Sequence, residues 1–259
     1  MKKNQAIHST SSCSIGFFVD NLPDGKKAPA IKKEYVSSRG TFLIYNDPES
    51  IHAIDKHFMS DVCAIVPDIG RYVRDLTKYG PMKLGFNKVK NLGIIELAKL
   101  GLSNLKNAKK ILNQDMITIL PLLVHVDYLE LKKINPTRLF LHYQMTDLAL
   151  ANNNRALIAA YLALKKKYPH CELGLMTKNL ALLEQKLREW DIYAPCVLAP
   201  FNSKGAGMRT SKKDCEALLQ APLRTYYSYS KISPTKKVQE LQYLQKIGIK
   251  KGFFSYYDE

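Results

Sequence analysis

Short apolar runs and longer amphipathic ones alternate along much of this chain. Runs rich in aliphatic and aromatic residues at 15–20, 41–46, 62–66, 138–143, 171–177, 196–201, 224–230 and 252–257 predict eight strands. Several end against Asn, Asp or Lys, the residues of turns and helix starts. Between the later runs, apolar positions recur at helical spacing over 154–168, 180–190, 211–220 and 234–247, which predicts four helices. The last is the most clearly bounded, with Ser233 as N-cap, Pro234 in the first turn and Gly248 as the stop.

Strand and helix in alternation imply right-handed crossovers and a parallel sheet, and eight such strands close into a single (β/α)8 TIM-type barrel of the α/β class. The alternative is an open, doubly wound sheet. One connection breaks the rhythm, because about 70 residues separate Val66 from Arg138. Apolar residues at helical spacing over 92–112 and 116–134 predict extra helices after the third strand, an insertion covering about 88–134. A competing pattern puts a strand at 116–120, which would demote the first one. No repeat, linker or low-complexity tract divides the chain, so residues 15–259 read as one barrel domain behind a polar, flexible segment at 1–14.

Composition narrows the class. With 46% apolar residues in 259, the chain has enough material for a full core. The net charge of +16 favours anionic partners, but the lysine runs are short and scattered, as on solvated helix faces. Five cysteines without a C-x-x-C pair or a zinc-finger spacing argue against a disulfide framework or a structural zinc site, and Cys63, Cys171 and Cys196 read as small buried hydrophobes. The apolar run near the N-terminus is too short for a signal peptide and no run has the length of a membrane span, so a cytoplasmic protein without a membrane partner is expected.

In such barrels chemistry sits at the C-terminal ends of the strands. Those positions hold Asn46 and Asp47, Asp68, then His142, Gln144 and Asp147, then Lys178 and Asn179, and Asn202 and Lys204. Asp20 and Asn21, Ser230 and Lys231, and residues 256–258 complete the set. His142, at the end of RLFLHY, is the candidate acid or base or, alternatively, a buried structural imidazole. Asp68 is a candidate base and Lys178 a candidate nucleophile, whereas Asp47 before Pro48 reads as a cap. Asn46, Gln144, Asn179 and Asn202 are candidate substrate contacts. No local pair of ligands points to a metal.

The loop NSKGAGMRTS fits neither the dinucleotide fingerprint nor the P-loop. It offers Lys204 and Arg209, Gly205 and Gly207 for close backbone approach, and a helix start at Ser211 with Asp214 at capping-box spacing. These predict an anion cradle built from backbone amides, with a plain connector as the alternative.

The runs RLFLHYQMTD, LGLMTKN, VLAPFNSKGAGM and IGIKKGFFSYY resemble the second half of aldo-keto-reductase-like barrels. They are also similar to a group of uncharacterised prokaryotic barrels with an APFN-x-x-G-x-x-M motif, here Ala199–Met208, and the likeness covers residues 137–257. The resemblance implies a barrel fold and matches His142 to the reductases' strand-four histidine. The third strand, ending in Val66, Pro67 and Asp68, lacks their lysine, and no room remains after the eighth strand for their cofactor-binding segment. Nicotinamide-dependent reduction is therefore not expected, nor any other cofactor.

These readings converge on a cofactor-independent barrel enzyme, a lyase, isomerase or hydrolase acting on a small anionic metabolite at the C-terminal mouth. The alternatives are a basic nucleic-acid-binding protein and a catalytically inactive scaffold whose mouth is plugged by Met208 and Tyr256.

Overall fold

The computed structural model describes residues 14–19, 41–46, 51, 61–72, 74, 77 and 116–256. Within them eight parallel strands close into a barrel: β1 Ser14–Val19, β2 Thr41–Tyr45, β3 Asp61–Val66, β4 Arg138–Leu141, β5 Glu172–Met176, β6 Cys196–Ala199, β7 Thr225–Ile232 and β8 Lys251–Tyr256. Each strand pairs with its sequence neighbours, and β8 pairs with β1. Gly16 faces Thr41, which faces Asp61; Cys63 faces Arg138, which faces Glu172; Gly174 faces Cys196, which faces Thr225; and Tyr227 faces Lys251, which faces Ser14. The ladder thus steps up by two residues at β3, β5, β7 and β1. One circuit advances the register by eight, the shear of a (β/α)8 barrel.

The helices are α1 Met116–Leu131, α2 Tyr143–Ala151, α3 Arg155–Leu162, α4 Leu180–Glu189, α5 Lys212–Leu218 and α6 Lys237–Lys246. Residues 116–120, read alternatively as a strand, open α1. The helix expected over 92–112 lies outside the described residues, as do Asp20, Asn21, Asp47 and residues 257–258. Helix α2 differs from expectation: β4 stops at Leu141, and the chain turns into a helix at Tyr143 where a longer strand and loop were read. Gly248, at φ +81°, follows α6 in the left-handed conformation that suits glycine.

Alternation along each strand sorts the apolar residues into two cores. Phe42 and Ile44, Val62 and Ala64, Leu139 and Leu141, and Val197 and Ala199 face outward and pack with Leu120, Leu157, Leu183 and Leu244 of the helices. Leu43, Cys63, Ile65, Phe140, Met176, Leu198, Tyr227 and Phe253 fill the interior. Two strand glycines make room for the rings there. A Cβ on Gly16 would lie 2.4 Å from the Phe253 ring, and one on Gly174 would lie 2.6 Å from both Phe140 and Cys196 Sγ.

The N-terminal end of the interior is closed by charge. Arg138 binds Asp61 at 2.9 Å and Glu172 at 2.8 Å, and Lys251 binds Asp61 at 3.0 Å and Thr41 at 2.5 Å. Burial raises the Asp61 pKa, but the bonds from Thr137 and Lys251 and the Arg138 charge outweigh it and hold the carboxyl below its ordinary value. A second ion pair lies under the helix layer, where Glu184 of α4 meets Arg224 at 3.0 Å with side-chain exposures of 2% and 4%. Tyr226 donates to the same carboxylate at 2.9 Å.

Removing one member of a fully buried pair strands the other, at a cost of about 3–5 kcal/mol. Glu184→Ala is therefore expected to lower unfolding stability by about that amount in urea titrations. Lys186→Ala, which breaks the solvent-exposed pair with Glu189, is expected to leave it nearly unchanged. Equal losses in the two variants would contradict this account.

Candidate active site at the barrel mouth

Followed toward its C-terminal end, the interior face leaves the packed core and opens to solvent. Two residues beyond Met176 stands Lys178; two beyond Tyr229, itself two beyond Tyr227, stands Lys231; and Ser255 follows Phe253 by two. The period of two thus carries the barrel's inner columns up into a cleft of about 990 Å³. Tyr45, Met176, Tyr229 and Ser255 line its strand side, and Lys178, Lys204, Arg209, Lys231 and Lys236 supply its charge. The one carboxylate in the lining among the described residues, Glu240, is engaged: it accepts from the Ser203 amide at 2.8 Å and the Ser203 hydroxyl at 2.5 Å.

Of the residues expected in the site, Lys178, Asn202, Lys204, Gly207 and Arg209 line this cleft together. Lys178 Nζ lies 4.0 Å from the centre of the Tyr143 ring, a cation–π contact that aims the ammonium. Its backbone is fixed from α2, where Asp147 accepts from the Lys178 amide at 3.2 Å and from Thr177 Oγ1 at 2.5 Å. Burial raises the Asp147 pKa, and the Thr177 and Lys178 hydrogen bonds and the Arg209 and Lys178 charges offset it in part. Burial pushes the Tyr229 phenol well up, with Tyr45, Asp147 and Tyr143 adding to the effect, so its hydroxyl keeps its proton.

His142 sits one ring behind the cleft. It is 5% exposed, stacked on Tyr143 at 4.6 Å between centroids, and tilted against Tyr45 at 5.8 Å. Its Nδ1 accepts from the Gln144 amide at 3.1 Å and caps α2, which leaves the ring proton on Nε2. Gln144 itself is exposed on the first turn of α2. Burial, helped by the Lys178 charge, lowers the His142 pKa to about 4.

The other expected residues serve the scaffold. Asp68 is buried outside the cleft lining, its Oδ1 accepting from the Arg71 amide at 3.0 Å and its own amide donating to Asp127 at 2.9 Å. Asn46 donates to Glu130 at 2.9 Å, also away from the cleft lining. Asn179 caps α4 and Ser211 caps α5. Two of the amides expected to cradle an anion at residues 205–207 are taken up inside the loop. Asn202 takes the Gly205 amide on its carbonyl at 3.0 Å and the Ala206 amide on its side chain at 2.9 Å, while returning a bond to the Ala206 carbonyl at 2.8 Å. Gly205 and Gly207 turn the chain at φ +71° and +74°. What the loop contributes to the cleft is side-chain charge, from Lys204 and Arg209.

Met208, read as a plug, is buried at 6% exposure beneath the loop, with Pro200, Phe201 and Cys215 around the same small void. The side chain of Tyr256 lies outside the described residues. Cys63, Cys171 and Cys196 are free and buried. Among the described residues, no cluster of His, Cys, Asp or Glu could hold a metal ion, and no helix is long and apolar enough to cross a membrane.

Sequence reasoning missed Tyr45, Tyr143 and Tyr229 as lining residues. The period-two pattern of Tyr227, Tyr229 and Lys231 was the available signal, since it puts all three on one face of β7.

Protein-family models, curated proteins and solved structures contain no significant match to this chain. The function must be argued from the cleft itself.

The depressed His142 pKa has a measurable sign. Above pH 6.5 the histidine is neutral in both folded and unfolded chains and contributes no pH dependence. Between pH 6.5 and about 4 the unfolded chain takes up a proton that the folded chain refuses, so stability falls as pH falls. His142→Asn, which retains a cap acceptor, is expected to lose part of this fall in unfolding experiments, with the part due to His125 remaining. Parallel pH profiles for the two proteins would refute the assignment.

Proposed function

We propose that this chain is a barrel enzyme acting, without a cofactor, on a small anionic metabolite bound in the cleft at the C-terminal mouth. The observation that carries the reading is the lining: among the described residues, five cations against one engaged carboxylate, in a volume suited to a small ligand. Lys178 is the candidate nucleophile or proton carrier, because among the described residues it alone combines a cleft position with fixation by an aromatic ring and a carboxylate-held backbone. Arg209, Lys204, Lys231 and Lys236 hold the anion, and the Tyr229 hydroxyl is a proton-bearing donor at the floor. A lyase, isomerase or hydrolase reaction needs no more than such proton handling and charge stabilisation. The likeness of residues 137–257 to aldo-keto-reductase-like barrels enters this proposal as kinship of scaffold.

One observation favours a second reading, a nucleic-acid-binding surface at the other end of the barrel. The exposed runs Lys132-Lys133 and Lys165-Lys166-Lys167 follow α1 and α3, beside the pairs His125 with Tyr168 and Tyr128 with His170, each at 2.7 Å. A polyanion held there would dissociate steeply with salt.

The test of the first reading is a thermal-shift screen of phosphorylated and carboxylated metabolites. A true ligand at about 100 times its dissociation constant is expected to stabilise the protein by about 2.7 kcal/mol. Lys178→Gln is expected to abolish turnover of that ligand while leaving the unfolding temperature nearly unchanged. Stabilisation by nucleic acid and by no small anion would replace this reading with the second.

A further inference from the structure

In a barrel of this shear the inward residues of alternate strands stand at common heights. Leu43, Phe140, Leu198 and Phe253 share one height in the apolar interior, as the register places them. Two residues farther along three of these strands come Tyr45, Pro200 and Ser255, and all three line the cleft. On the strands between, Lys178 and Lys231 follow Met176 and Tyr229 at the next level up. Ser255 thus belongs to the floor of the cleft, at the first layer above the sealed core.

Ser255 is polar at a point where the fold offers it nothing to bond. It is 6% exposed, and its Oγ has no hydrogen-bond partner. Other barrel hydroxyls are engaged. Ser228 Oγ, on the outward face of β7, donates to the Phe201 carbonyl at 2.7 Å and accepts from the Phe201 amide at 3.3 Å. Thr41 Oγ1, at the N-terminal end of the interior, accepts from Lys251 at 2.5 Å, and Thr177 Oγ1 donates to Asp147 at 2.5 Å. Buried polar groups are almost always hydrogen-bonded, so an unmet hydroxyl in the floor of an open cleft marks a contact that a ligand completes. A serine has a single side-chain torsion with three staggered positions, and its hydroxyl turns toward such a ligand without movement of the strand.

Resting on the reading of this cleft as an anion-binding active site, we propose that Ser255 is a substrate-binding residue that hydrogen-bonds a hydroxyl of the substrate. The substrate class is thereby narrowed to hydroxylated anions: the charged group meets the cations of the wall, and a neutral hydroxyl reaches the floor. The match is chemical. Ser255 Oγ has one donor and two acceptor positions, all unused, and a hydroxyl both donates and accepts where a carbonyl only accepts.

Calorimetric titration of the unaltered protein and of Ser255→Ala with glycerol 3-phosphate and with propyl phosphate, which lacks the two hydroxyls, tests this. A neutral hydrogen bond changes affinity by roughly three- to tenfold. The ratio of glycerol 3-phosphate to propyl phosphate affinity is therefore expected to fall by about that factor in Ser255→Ala, with propyl phosphate binding little changed. Removing a hydroxyl that bonds to nothing in the protein is also expected to leave the unfolding temperature no lower than before. An unchanged ratio overturns the assignment of Ser255, and so does a variant that is markedly less stable or fails to fold, since the hydroxyl would then be structural; in either case binding of both phosphates by the unaltered protein leaves the anion-binding active site standing. Failure of both probes to bind the unaltered protein overturns that reading and this inference with it.

Discussion

Every second side chain of eight strands must share one interior, and that constraint organises this molecule. The shear of eight stacks the inward residues in layers, so what each strand contributes at a given height is fixed by its register. The lowest layer is ionic, with Asp61, Arg138, Glu172 and Lys251 shutting the N-terminal end. The middle is apolar and tight enough that two positions tolerate only glycine without displacement of their neighbours. The top is aromatic and cationic. A sealed base leaves the C-terminal mouth as the open end of the interior, and the same columns that form the core end as the lining of the cleft.

The cleft is held by groups that do not face a ligand. Asn202 locks the 202–206 turn with both ends of its amide, and Glu240 of α6 fastens the adjoining Ser203. Asp147 links α2 to the end of β5. Each of these is a buried or half-buried acceptor already paired, so the charged side chains above them project from backbone that is fixed before anything binds. Preorganisation of this kind spares a ligand the cost of ordering the site.

The barrel was legible because strand and helix periods differ and alternate cleanly over residues 138–256. Reading failed at Tyr143, where the apolar run LFLHY continues past the strand into α2, so periodicity gives no boundary. It succeeded for the caps at Asn179 and Ser211, because capping depends on neighbours three residues away. Lys178, Asn202, Lys204, Gly207 and Arg209 were found by the rule that strand ends build the mouth. Asp68 and Asn46 obey the same rule and yet lie outside the cleft lining, because their partners Asp127 and Glu130 come from α1, some 60 to 80 residues away in sequence. Whether a strand-end polar residue meets a ligand or a helix is decided by such distant contacts, which local pattern does not contain.

The electrostatics of the mouth follow from the same architecture. Helices α2 and α4 begin directly after β4 and β5, so their N-termini, each carrying about half a positive charge, stand at the same rim as the lysines. Their caps, His142 and Asn179, satisfy one amide each without bringing a negative charge. A carboxylate at either cap would have neutralised the rim it sits on. The neutral caps add no negative charge to the rim, and the His142 pKa, lowered mainly by burial, is lowered further by the Lys178 charge. The histidine that sequence suggests as the acid or base is thus kept uncharged first by its burial and then by the lysine that the cleft exposes. Its role follows from that: a neutral imidazole stacks on Tyr143, and the other contact of that ring is the Lys178 ammonium at the cleft.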